Sequence, residues 1–202
     1  MFLLFDQLTR PRVRLEKDVF SASKGIEDVS VEIRLGGSRH WLGHAWTNLF
    51  QPNLPALANR LMLIATSQIQ QAYLLLRSYG KDRDYWDPIS GVRQQIEVAN
   101  AHSLHDDLDI LIDISRDILK WMLVEKRAAA DAIIDGWFSS GMRLLMRLAI
   151  HGVAEASHWD HDRKMKWLLD NHLLYNTALS LRCSSSSNDP IPKHLTVLER
   201  KP

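Results

Sequence analysis

The chain has 202 residues, 25 Lys and Arg against 24 Asp and Glu, a net charge of +1 and 46% hydrophobic residues. That composition belongs to a globular chain and excludes a fully disordered, collagen-like or polytopic membrane protein. The single cysteine, Cys183, rules out an intramolecular disulfide and suits a cytoplasmic location better than an oxidising compartment. The near-zero net charge gives no general attraction to nucleic acid or anionic lipid.

Met1 to Phe5 is an apolar run closed at once by Asp6. It lacks the basic start and small-residue cleavage site of a signal peptide and is too short to span a bilayer. It reads as the last turns of a helix that begins earlier. Arg10, Arg12, Arg14 and Lys17 follow as a dense basic patch. Such a patch suits nucleic-acid phosphates. Without interleaved aromatics for base stacking, the plainer reading is a solvated linker.

Val29, Val31, Ile33 and Leu35 alternate with Ser30, Glu32 and Arg34, the period of a half-buried strand that Gly36-Gly37 ends. Leu15 to Phe20 is its expected hairpin partner, turning through Ser21–Gly25. An isolated strand pair is marginal, so this is an insertion or edge on a helical body. A short helix over Trp41–Phe50 follows. Gln51 to Pro55 is a break, with Pro55 suited to a helix's first turn.

Pro55 to Tyr79 is the clearest helix. Asn59/Arg60, Thr66/Ser67, Gln70/Gln71 and Arg77/Ser78 fall on one face, and the remaining arc is apolar. Gly80 stands at the C-cap position. A polar connection containing Trp86 leads to a helix over 92–101 that ends at His102-Ser103. From Asp106 to Tyr175 four amphipathic helices are expected. The first buries Leu108, Leu111, Ile112, Ser115, Ile118, Leu119 and Met122. The second carries Ala130, Ile133, Ile134, Trp137 and Phe138. The third, capped by Ser139 or Ser140, turns Met142, Leu145, Met146, Ala149 and Val153 inward. The fourth, opened by Asp160 or His161, does the same with Met165, Leu168, Leu169 and His172. Starts near 107 and 140 make two helix pairs offset by about 33 residues, the scale of an α-solenoid rather than an irregular bundle. From Cys183 a serine run without periodicity makes a disordered tail. The expected architecture is therefore mainly α, with HEAT-like helical hairpins and a small β-hairpin insertion near the start. Its parts are an N-terminal segment 1–54, a repeat-like domain 55–182 and a tail 183–202.

Candidate sites are few. His40 and His44 lie four apart on one helix face. His102 and His105, with Asp106 and Asp107, and His158 and His161, with Asp160 and Asp162, pair histidines at a spacing of three. A metal-dependent hydrolase or nuclease could be built on such clusters. Each offers two or three ligands where a metal needs three or four converging ones, and no spacing matches a known zinc pattern, so capping or surface roles are the favoured reading. Cys183 has no fixed partner base. There is no G-x-S-x-G, P-loop or G-x-G-x-x-G. No catalytic, cofactor-binding or metal-ligating residue is therefore assigned. Arg143, Arg147, His151 and Glu155 follow at steps of four along one helix. They form a stripe suited to an anion or an acidic partner, or else a solvated face. The seven tryptophans are most simply packing anchors.

Three phrases carry a resemblance: Asp113-x-x-Arg116-Asp117-x-Leu119, Arg147-Leu148-Ala149-Ile150-His151, and Lys164-x-Lys166-Trp167-Leu168-Leu169. Together they resemble the HEAT-like helical region toward the C-terminus of large bacterial sirtuin-like, NAD-consuming anti-phage defence proteins. The likeness covers about 106–175 well and 5–54 loosely. It implies a non-enzymatic scaffold, sensing or oligomerisation segment, with NAD hydrolysis in a separate domain. Partners would be another protein or further copies of the chain.

Overall fold

A computed structural model describes residues 1–17, 29–80, 89, 96–97 and 107–173. Helix α1 (Phe2–Thr9) leads into strand β1 (Pro11–Lys17), and strand β2 is Val29–Leu35. Helix α2 (Arg39–Ala45) runs on through a π turn at Trp46–Phe50 and a 3-10 turn at Gln51–Asn53 into α3 (Leu54–Ser78). Helices α4 (Asp107–Glu125), α5 (Arg127–Ser139), α6 (Arg143–Glu155) and α7 (His161–Asp170) complete the order. The described residues are thus mainly helical, with a small two-stranded antiparallel sheet. The expected helix over 92–101, Trp86, His102, His105, Asp106 and the tail from Cys183 lie outside the described residues.

The first strand begins earlier than the sequence suggests. Pro11, Val13 and Leu15 pair opposite Leu35, Ile33 and Val31. Side chains alternate across a strand, so this register puts the apolar set on one face. Ile33 and Leu35 are buried, and Val13 and Val31 pack against the core. Arg12 and Arg14 therefore ride on the outer face of a strand and not in a linker, opposite Arg34 and Glu32 respectively. The Arg34 guanidinium turns to Glu32, 2.9 Å away. Past the strand, the Gly37 N–H donates to the Leu8 carbonyl at 2.8 Å. A Cβ on Gly36 would lie 2.0 Å from the Gln7 carbonyl oxygen, so this turn can press on α1 only without a side chain.

Helix α3 starts with Pro55 in its first turn and ends at Gly80, whose positive φ and N–H bond to the Arg77 carbonyl close the helix. Its wet face is less polar than expected. Leu63 and Leu74 share the exposed stripe, while Gln68 is buried and donates to Asp6 of α1 at 2.7 Å. The partner decides here: α1 covers Gln68 and supplies an acceptor, whereas nothing among the described residues covers Leu63.

Helix α4 is the hub, touching α2, α3, α5, α6 and β2. Its buried stripe is the expected one, extended by Ile114 and Leu123. Asp107 opens the helix and accepts the Leu35 N–H at 3.3 Å, which ties the sheet to the helical body. Helix α6 buries Leu144, Leu148 and Ile150 beside Leu145, Ala149 and Val153. Its neighbours come close because Gly152 has no side chain: a Cβ there would lie 2.7 Å from Leu119 Cδ2 and 3.0 Å from Ile134 Cγ1. No serine side chain caps α6. Gly141, at positive φ, turns the chain, and Met142 holds the cap position. Helix α7 is capped by Asp160, which accepts the Arg163 N–H at 2.7 Å. The inward set expected for it does not form. Among its residues Trp167 and Leu168 are half-buried, while Met165 and Leu169 are exposed; His172, just past its end, is exposed too. Trp167 and Arg163 tie this helix to α5 and Lys164 ties it to the end of α6, while among the described residues nothing covers a second apolar face.

Candidate functional site

Two polar clusters stand out among the described residues. The first is centred on Asp131 of α5. Its Oδ1 lies 2.8 Å from His158 Nε2 and accepts the Trp159 indole N–H at 3.0 Å. Its Oδ2 accepts from Arg163 at 2.8 Å. The same guanidinium lies over the Trp159 ring, 4.0 Å from its centroid. One turn along α5, Asp135 accepts the Trp167 N–H at 3.0 Å. Trp137 closes the opposite side by donating to Thr66 of α3 at 2.9 Å. Three tryptophans thus tie helices together by their polar edges as well as their apolar faces. Burial alone would push the Asp131 carboxyl up. The hydrogen bonds from His158, Trp159 and Arg163 outweigh it and hold the group below the ordinary carboxylate value. Asp131 is a saturated acceptor, and its arrangement is that of a clasp.

The second cluster is open. His151 and Glu155, one turn apart on α6, meet Glu97 from the segment before α4. One ligand atom from each of the three lies within 4.8 Å of the others. Lys120 of α4 reaches between the carboxylates, 3.6 Å from Glu97 and 3.4 Å from Glu155. Arg116 fixes the segment by donating to the carbonyls of Ile96 and Glu97 at 3.1 and 3.2 Å, while pairing with Asp113 and Asp117. The Nε2 atom of His151 is buried without a hydrogen-bond partner among the described residues. Burial pushes the His151 imidazole below its usual value. Lys120 and Arg116 act in the same direction, and Glu155 and Glu97 oppose them. The ring is therefore neutral near pH 7, with a nitrogen lone pair to offer.

The other expected sites fare unevenly. The stripe Arg143, Arg147, His151, Glu155 is real as a line on α6, but its first three members are half-buried. It faces α4 at its end rather than bulk water throughout. Arg10 is engaged by Asp6 one turn earlier in α1. The basic residues of β1 and those of α6 sit on different parts of the fold, β1 packing on α3 and α6 on α4 and α5. His40 and His44 stack edge to face at 4.5 Å beside Trp41, which is 69% exposed. His158 is committed to Asp131, and His161 is exposed in the first turn of α7. Among the described residues, the group of three potential ligands is Glu97, His151 and Glu155. Periodicity placed His151 and Glu155 on one face but had no means of adding Glu97, which only the tertiary fold brings there.

The surface also carries apolar side chains. Helix α1 lies along α3, with Phe2 beneath the Arg60 guanidinium and Asp6 bonded to Gln68. Leu63 sits between those two contacts along α3. It is 70% exposed, and Leu3 of α1 is 81% exposed. No described helix is long and apolar enough to cross a membrane. No family model, curated protein or solved structure matches the chain.

Proposed function

We propose that this chain is a helical interaction module that acts by assembly rather than by chemistry of its own. The observation that carries the reading is the pair of apolar faces on its first and last described helices. Leu3 and Leu4 of α1, with Leu63 of the adjoining α3, are exposed at the first, and Met165 and Leu169 of α7 at the last. Exposed apolar groups of this kind mark association surfaces, and the end units of stacked helical arrays stay solitary only when polar residues cap them. The two faces differ, so joining one to the other on a second copy is a heterologous contact.

The pairs α4–α5 and α6–α7 are read as HEAT-like hairpins; the packing of α4 on α5 supports the first, and the bond from Lys164 to the Ala154 carbonyl joins α7 to the second. Descent from the helical region of a sirtuin-like defence protein belongs to the same proposal. Its support is the phrase from Arg147 to His151, whose Leu148, Ala149 and Ile150 are core residues of α6. NAD consumption would then reside in another domain, and the cytoplasm is the matching location.

Sedimentation velocity across the micromolar range tests the assembly. The sedimentation coefficient is expected to rise with concentration. Leu63→Glu and Leu169→Glu should each weaken association about tenfold or more, the effect of losing one apolar anchor worth about 1.4 kcal/mol. A wild-type chain that stays monomeric throughout contradicts the proposal.

A further inference from the structure

We infer that Glu97, His151 and Glu155 form a binding site for one zinc-class divalent cation, a role independent of the interaction reading above. Three observations converge. First, the donor set fits. An imidazole with two carboxylates suits zinc, cobalt or nickel, whereas magnesium and calcium favour all-oxygen shells of six or more ligands. Second, the spacing fits. His151 and Glu155 are four apart on α6, so the helix itself presents both to one point. Around a tetrahedral zinc with bonds of about 2.0–2.2 Å, donors stand about 3.4 Å apart. The present limit of 4.8 Å closes to that by rotating two exposed glutamate side chains. Third, the site already holds a cation beside an imidazole. The Lys120 ammonium bridges the carboxylates at salt-bridge distance, and the buried Nε2 of His151 has no partner among the described residues.

The Lys120 ammonium neutralises both carboxylates but makes no hydrogen bond to the His151 Nε2. A divalent metal neutralises the carboxylates and binds that nitrogen as well. Lys120 is therefore the resident competitor, and its flexible stem lets it swing into solvent when a metal enters. Three protein ligands leave a fourth position, on the exposed side where Glu97 and Glu155 reach water, for a solvent molecule or a side chain from a partner. Binding would also fasten the segment around Glu97 to α6.

The test uses the full chain, treated with chelator and then titrated with Zn2+ alone against a chromophoric competitor. Co2+ serves as a spectroscopic probe of the ligand set. One equivalent should bind. Glu155→Gln and His151→Gln should each weaken binding at least tenfold and change the Co2+ visible spectrum, with helical circular dichroism retained. Lys120→Met should tighten binding several-fold, because the competing ammonium is gone. That last outcome separates a metal site from a structural ion-pair network, which the same change only damages. Three results overturn the inference: no binding to the wild type, binding unchanged in both ligand variants (as when His40 and His44 are the true ligands), or weaker binding in Lys120→Met.

Discussion

The clasp at Asp131 and the cluster at His151 use similar residues, yet they differ in completeness. Around Asp131 a carboxylate accepts from three donors and a guanidinium lies over an indole. Around His151 two carboxylates share one ammonium at 3.4 and 3.6 Å, and a buried ring nitrogen lacks a partner among the described residues. A saturated network rigidifies. An unsaturated one keeps capacity for something else, and an orphaned buried polar atom calls for an explanation of that kind. The same residue types therefore mean different things depending on whether their valences are filled. Histidine and aspartate near the start of α7 suggest a ligand cluster in the sequence, whereas in the fold His158 bonds Asp131 of α5, Asp160 caps α7 and His161 is exposed.

The largest effect should come from the saturated side. Asp131→Ala strands the donors of His158 and Trp159 and should lower unfolding stability by about 2–3 kcal/mol, read from urea denaturation. Gly152→Val is expected to come next, at about 2 kcal/mol. It places atoms where Leu119 and Ile134 already sit and pushes α6 from α4. Because that shift also moves His151 from Lys120, the valine variant should lose zinc affinity as well.

Acidity separates the two clusters. The folded Asp131 carboxyl is held low, so its contribution is present above the unfolded value of about 3.9 and is lost as pH falls through the folded value. The folded His151 is also held low. As pH drops below about 6.5 the unfolded chain takes up that proton first, and stability declines there. His151→Gln should therefore flatten the stability curve between pH 7 and 5, while Asp131→Asn should flatten only its acid limb below pH 4. The groups facing His151 are Glu155, Lys120, Glu97 and Arg116, and the first three are solvent-accessible enough for salt to soften the effect. Smallest of all should be Glu155→Gln, below about 0.5 kcal/mol, since exposed ion pairs contribute little.

Much of the helical frame was legible from local pattern. The stripe of α4, the cap at Asp160, the stop at Gly80 and the Pro55 start follow from periodicity and backbone chemistry that act within a few residues. What escaped depended on distant partners. The charges of Arg12 and Arg14 masked the alternation that makes Pro11–Lys17 a strand, which is plain only with Ile33 and Leu35 opposite. Leu63 looked like core because its own helix is apolar, but burial depends on a neighbour. Met165 and Leu169 failed for the same reason. Trp137, Trp159 and Trp167 do anchor helices, whereas Trp41 is exposed, and the N–H partners Thr66, Asp131 and Asp135 carry no signature in the sequence. Glu97 joins His151 across a long stretch of chain, and no spacing rule connects them.

The contrast between a filled and an open cluster is tested most directly by thermal melting of chelator-treated protein with and without excess Zn2+. A ligand that binds only the native state must raise the melting temperature. Zinc should raise it by several degrees for the wild type and for Asp131→Ala alike, and leave Glu155→Gln and His151→Gln unmoved. Equal zinc shifts in all four proteins, or none in any, would contradict the account.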